Sequence, residues 1–301
     1  MPLLLHALPR FGKLPERLVA LTEVLVVFAL VHLIYRSFKH FTELGRREAA
    51  AGLNFSPGAA MILMTIILLW ACGRSFEDYG LTLKRWAYHL NIGLCWGVLP
   101  VIAAGIVVVT AHLHVDPHRG PWPTLALLGA AGRLVFTLLL LLTLRKERAL
   151  LRRTPPWVSL VVLIGLLSLP LVVAWHYDRP FWIVVLTVLW LFFGAGFGEE
   201  VFFRGYIQSR INATFGRPLR FLGVEFGLGL IVSSLMFGLI HVLNTVDYFS
   251  GRFDFSWSWG IANFCAGLFF GCMREKTGSI LPGAIAHGLE DVLQEIPGLL
   301  P

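Results

Sequence analysis

Two carboxylates, Glu199 and Glu200, stand side by side in an otherwise apolar stretch, Gly194-Ala-Gly-Phe-Gly-Glu-Glu-Val-Phe-Phe-Arg204. Arg204 follows Glu200 by four residues, so on a helix the two share a face and can pair. Glu199 lies about 100° around the same helix. This predicts one carboxylate held ionised by the guanidinium and another free to move a proton. Two further stretches carry groups of the same kind. Phe237-Gly-Leu-Ile-His241 sets one imidazole in an apolar run, and His287-Gly-Leu-Glu-Asp291 sets an imidazole and a carboxylate one helical turn apart. Taken singly, a buried histidine, an acidic pair near a helix end and an i,i+4 His/Asp contact are ordinary structural features. Three separate stretches that each supply such groups are poorly explained by chance.

Carboxylates and two imidazoles away from bulk water suit the activation of water. A glutamate or histidine takes a proton, and the resulting nucleophile attacks a peptide carbonyl. The remaining polar groups stabilise the developing oxyanion. An alternative places Zn²⁺ on Glu199, His241 and His287, where it would lower the pKa of a bound water to about 7. Rival peptidase signatures, HExxH, GxSxG and GxGD, are missing from the sequence.

The elements that must position these groups are membrane helices. Of the 301 residues, 56% are hydrophobic and 14% charged, with a mean hydropathy of +0.73. A soluble domain carries about 25% charged residues. Nine apolar runs approach the roughly 20 residues needed to span a bilayer: 18–35, 57–72, 90–112, 123–144, 157–176, 182–211, 224–246, 257–273 and 279–295. Backbone polar groups in lipid must all be paired, which selects helices, and no alternating barrel pattern is present. The expected fold is all-α, a polytopic bundle of about eight or nine spans around an intramembrane polar cavity. Residues 1–156 would form N-terminal helices and 157–301 a catalytic core. Inside the first half of these spans we read one charged residue, Arg133, to be satisfied by a neighbouring helix end.

The net charge of +7 fits loop cations that set orientation better than it fits a nucleic-acid partner. Lys and Arg divide 17 to 7 between the two sets of connections, which favours a cytoplasmic N-terminus. A rise of about 1.5 Å per residue places Glu200, His241 and His287 where they can share a cavity, expected to open to the cytoplasmic half. His241 fits least well, because it needs 221–226 to lie at the interface. The four cysteines, Cys72, Cys95, Cys265 and Cys272, show no ligand or disulfide spacing, and no cleavable signal peptide is evident. The run from Arg145 to Arg153 reads as a basic connection against anionic lipid. His112-Leu-His-Val-Asp-Pro-His118 reads as a His-rich loop rather than a metal site.

Together, Glu199-Glu200-x-x-x-Arg204, Phe237-x-x-x-His241 and His287-x-x-x-Asp291 resemble the three-motif pattern of the CAAX protease and bacteriocin-processing family. The lead-in Thr277-Gly-Ser-Ile-Leu-Pro-Gly-Ala-Ile-Ala-His287 is also similar to that family, and Phe76-Glu-Asp-Tyr-Gly-Leu81 is weakly so. The strong resemblance covers about residues 190–295. It implies an intramembrane endopeptidase, similar to the type 2 CAAX prenyl endopeptidase, built around a conical cavity. It implies that Glu199 activates water with His241, that Glu200 and Arg204 support the site, and that His287 and Asp291 bind the oxyanion or orient the scissile carbonyl. The family's third motif often ends in Asn. Asp291 as a carboxylate cannot donate a hydrogen bond, which favours metal ligation or orientation of the histidine.

The expected partners are the lipid bilayer and a membrane-associated or lipidated peptide or protein substrate, in an integral protein of the bacterial inner membrane. A catalytically silent scaffold or immunity protein of the same fold is the alternative, and a proton-coupled transporter the third reading.

Overall fold

The computed structural model describes residues 14–98, 122–143 and 154–301. The described chain is helical with two small hairpins. We number the helices α1 (Leu14–Phe41), α2 (Glu43–Ala50), α3 (Phe55–Ala71), α4 (86–98), α5 (Trp122–Thr143), α6 (Pro156–His176), α7 (Phe181–Phe215), α8 (Leu228–Val242), α9 (Trp257–Thr277) and α10 (Leu281–Gln294). The strands β1 (Leu219–Phe221) and β2 (Val224–Phe226) pair antiparallel between α7 and α8. The strands β3 (Val246–Asp247) and β4 (Arg252–Phe253) pair antiparallel between α8 and α9.

Local chemistry sets the ends of these helices. Pro156 and Pro282 sit in the first turns of α6 and α10, where a missing N–H costs nothing. Gly278, at φ 76°, closes α9 in the left-handed conformation and donates to Arg274 O. Thr42 caps α2 by accepting from Gly45 N through its hydroxyl.

Among the described residues, four helices are long and apolar enough to cross a membrane: Pro15–Phe41, Pro156–His176, Phe181–Phe215 and Leu228–Thr245. Phe55–Ala71 and Leu127–Thr143 are shorter apolar helices. The all-α membrane fold therefore holds, while the expected eight or nine spans are not reached by this measure. The expected span 90–112 is described only as far as residue 98, and its remainder lies outside the described residues. The loop His112–His118 and the run Arg145–Arg153 also lie outside them.

Cross-links fix which helix ends share a face. Glu23, early in α1, binds Arg74 after α3 and Arg210 near the end of α7. Ile280 N, before α10, donates to Gly80 O. Ser159, early in α6, meets Asn91 of α4. These ends define a proximal face. On the other, distal face Arg36 of α1 donates to the carbonyls of Leu243 and Asn244 after α8. There too Arg179, before α7, donates to those of Leu299 and Leu300. Exposed tryptophans mark both ends of the bundle: Trp70, Trp86 and Trp157 proximally, and Trp175, Trp182, Trp257 and Trp259 distally. Such belts are what membrane interfaces favour. Between them exposed apolar side chains such as Leu25, Leu33, Val161 and Ile164 coat the outside.

Candidate active site

The site is built where α7 is squeezed between two neighbours. Across Trp190–Glu199 and Val201–Gln208 the helix takes the wider π winding on both sides of Glu200. Such winding is rare and tends to mark functional sites. Two of the three alternating glycines, Gly196 and Gly198, explain the packing. A Cβ on Gly198 would stand 2.8 Å from the Cα of Gly58 in α3, and a Cβ on Gly196 would stand 2.6 Å from the Cα of Gly288 in α10. Glycine alone permits backbones this close on both sides. Gly283 of α10 completes the fit, because a Cβ there would meet Oε2 of Glu200 at 2.9 Å.

Glu200 and Arg204 form the expected pair. Nη1 of Arg204 lies 2.7 Å from Oε1 of Glu200, and both residues are fully buried. The guanidinium also stacks on aromatic faces, 4.2 Å from the ring centroid of Phe237 and 5.3 Å from that of Phe270. Cation–π contact offsets part of the solvation the cation has lost. Oε1 of Glu200 further accepts from Nδ1 of His287 at 3.2 Å.

His287 is the hub. Its Nε2 is 3.4 Å from Oδ2 of Asp291 and 3.8 Å from Oε2 of Glu199. Its ring stacks on Phe270 at 4.7 Å and meets Phe237 edge-on at 5.7 Å. Asp291 thus stands one helical turn from the imidazole and within reach of it. His241 lies across Phe237, ring to ring at 4.7 Å. Its Nδ1 lies 2.7 Å from Phe237 O. A carbonyl only accepts, so Nδ1 carries the proton and a neutral ring keeps its lone pair on Nε2.

Glu199 and His241 line one cavity of about 270 Å³, with Tyr35, Arg36, Lys39, Asn54, Pro57, Met61, Ile240 and Asn244. All six expected site residues therefore gather around one centre. Among the described residues, no three His, Cys, Asp or Glu side chains are arranged to hold a metal ion. No step below passes through the expected Zn²⁺ site on Glu199, His241 and His287.

Three features correct the reading of the sequence. Arg133 is met by a carboxylate, that of Glu290 in α10, which also accepts from Gln294 Nε2 at 3.0 Å. Glu23 is a second charged residue within the first-half spans; it binds Arg74, Arg210 and the hydroxyl of Tyr206. The cavity opens by the distal ends of α1, α3 and α8, away from the face where the chain enters α1, rather than toward that face. Tyr35, Arg36, Lys39, Asn54 and Asn244 were not read as site residues. Their only signal was their position at span ends, where polar residues are common.

Residues 180–293 match the family model described as type II CAAX prenyl endopeptidase Rce1-like. No curated protein and no solved structure matches the chain. The Rce1-like segment runs from the start of α7 into α10. It contains Glu199, Glu200, Arg204, His241, His287 and Asp291, whereas the α1 and α3 side of the cavity lies outside it. The family match and the apolar helices point to an integral membrane protein and a CAAX-type protease acting within the membrane.

Proposed function

We propose that the chain is an intramembrane endopeptidase that hydrolyses a peptide bond of a membrane-associated or lipidated protein by carboxylate and imidazole activation of water. One observation carries this reading. Glu199 and His241, from two different helices, line one cavity, and His287 stands 3.8 Å from Glu199 at its edge.

In this mechanism Glu199 and the Nε2 lone pair of His241 draw a proton from water lying between them. The hydroxide attacks the scissile carbonyl, and the proton passes to the leaving amine. His287, clamped by Glu200 through Nδ1 and oriented by Asp291, supports the charge that develops on the carbonyl oxygen. Glu200 and Arg204 touch no substrate and act as positioning residues for His287. A buried, aromatic-walled site strengthens each of these interactions.

The test uses the full chain purified in detergent with a library of hydrophobic and lipidated peptides. Cleavage by the wild type is expected to fall by about 10²–10⁴ in Glu199→Ala and in His241→Ala. Equal cleavage by all three proteins overturns the assignment. A cellular phenotype of gene loss that Glu199→Ala rescues would favour the silent scaffold instead.

A further inference from the structure

Helix α1 precedes the family segment, yet it lends the cavity a polar face. His32, Tyr35, Arg36 and Lys39 recur at steps of three and four residues, so one side of a mostly apolar helix carries all four. Tyr35, Arg36 and Lys39 line the cavity together with Glu199 and His241. We propose that Tyr35 is a further catalytic residue, whose hydroxyl donates to the scissile carbonyl oxygen as that oxygen takes up charge. This rests on the peptidase reading and adds to it a group from outside the matched residues 180–293.

The hydroxyl is held rather than free to turn. Tyr35 and His32 are both buried. The Tyr35 hydroxyl lies 2.8 Å from Nδ1 of His32, and Nε2 of the same ring lies 3.0 Å from the hydroxyl of Tyr248. Both phenol rings meet the imidazole edge-on, with centroids at 5.1 and 5.6 Å. A neutral imidazole has one N–H and one lone pair, so one phenol accepts from it and the other donates to it. In this assignment Tyr248, which is exposed, donates to Nε2. His32 then donates from Nδ1 to the Tyr35 oxygen, and the Tyr35 proton points away from the ring.

The surroundings of Tyr35 give that proton a direction. The Arg36 guanidinium, with Cζ 5.5 Å from the Tyr35 ring centroid, can only donate to the hydroxyl oxygen. The Glu199 carboxylate acts on the same hydroxyl through its charge. The proton is thus drawn to the side of the cavity where negative charge stands and where the reaction makes more of it. The other two cations of this face are engaged. Arg36 Nη2 donates to the carbonyls of Leu243 at 2.7 Å and Asn244 at 3.0 Å, and Lys39 donates to Asn54 Oδ1. Arg36 thereby ties α1 to the turn that follows His241 and sets Tyr35 relative to that imidazole. A donor fixed in this way strengthens as the oxygen becomes negative, so it lowers the barrier rather than tightening substrate binding.

The test is steady-state cleavage of one lipidated peptide by the full chain in detergent, with Glu199→Ala as the reference for the site. In Tyr35→Phe, kcat is expected to fall about 10²-fold with KM little changed, the loss that follows removal of one oxyanion donor. Tyr248→Phe, which does not line the cavity, is expected to lose a smaller factor, and to lose nothing further when combined with Tyr35→Phe. A merely structural role would lower the unfolding midpoint of Tyr35→Phe and leave the kcat of its folded fraction at the wild-type value. That result overturns the proposal, as does a loss confined to KM. Should Tyr35→Phe fail to fold, a wild-type kcat in Tyr248→Phe overturns it. Cleavage lost in Glu199→Ala but kept in Tyr35→Phe removes the role of Tyr35 alone. Cleavage that survives Glu199→Ala removes the peptidase reading, and this proposal with it.

Discussion

Nδ1 of His287 and Nη1 of Arg204 both address one atom, Oε1 of Glu200, at 3.2 and 2.7 Å. One carboxylate oxygen thus couples a guanidinium of its own helix to an imidazole 87 residues away. Removing one partner of a buried ion pair leaves the other uncompensated, at about 3–5 kcal/mol. Glu200→Gln keeps the shape and removes the charge, leaving Arg204 without its counter-ion. Its unfolding midpoint in detergent is expected to fall well below that of Glu199→Gln, whose carboxylate has no ion pair with a guanidinium among the described residues. A Glu200→Gln protein as stable as the wild type would show that neither the ion pair with Arg204 nor the bond to His287 of α10 contributes to stability.

The same logic applies to Arg133 and Glu290, which join α5 to α10. Arg133→Met should destabilise by about 3 kcal/mol, because Glu290 is left buried and charged. Arg133→Met with Glu290→Leu should recover most of that loss, since an apolar pair needs no counter-ion. The four proteins of this cycle, compared by thermal unfolding, decide the matter. A double variant no better than the sum of the singles would mean that the two residues act separately.

How much of this was legible depends on distance along the chain. The pairing of Glu200 with Arg204, the turn shared by His287 and Asp291, and the close approach allowed by Gly196 and Gly198 are local consequences of helical spacing. They stand in the structure as read. The partner of Arg133 is 157 residues away, and nothing local points to it. Glu23 escaped because a single acid among apolar residues barely alters the look of a spanning run. The π winding was hidden because the reading assumed α-helical geometry throughout. The direction of the cavity relative to the end where α1 begins was misjudged from span depth. Residues 219–226 form a hairpin, so α8 begins only at Leu228 and carries His241 at its distal end.

Gly196 offers a steric test of the packing. Its Cβ would meet Gly288 Cα at 2.6 Å and Gly288 N at 2.7 Å, both backbone atoms that cannot rotate away. Gly196→Ala should force α7 and α10 apart and cost about 1–3 kcal/mol by overpacking. The shift would also lengthen the contacts of His287 with Glu199 and Glu200, and a 1 Å misplacement can cost about 10² in rate. Gly165→Ala is the control, since nothing lies within 4 Å of a Cβ there. Cleavage and unfolding should be near wild type in the control and both impaired in Gly196→Ala. Equal behaviour would mean that the close approach does not position the site.

Metal removal separates the two ways of activating water. In the zinc route three protein donors converge on one ion at about 2.0–2.2 Å. No three donors among the described residues are so arranged. In the carboxylate and imidazole route only a water and two side chains are needed at the reacting atoms. Cleavage after prolonged dialysis against a chelator is therefore expected to match the untreated rate. The unfolding midpoint should not move either, because a bound ion would have stabilised the fold by mass action. A fall in both quantities, reversed by added Zn²⁺, would replace the Glu199 and His241 water mechanism with a metal-centred one.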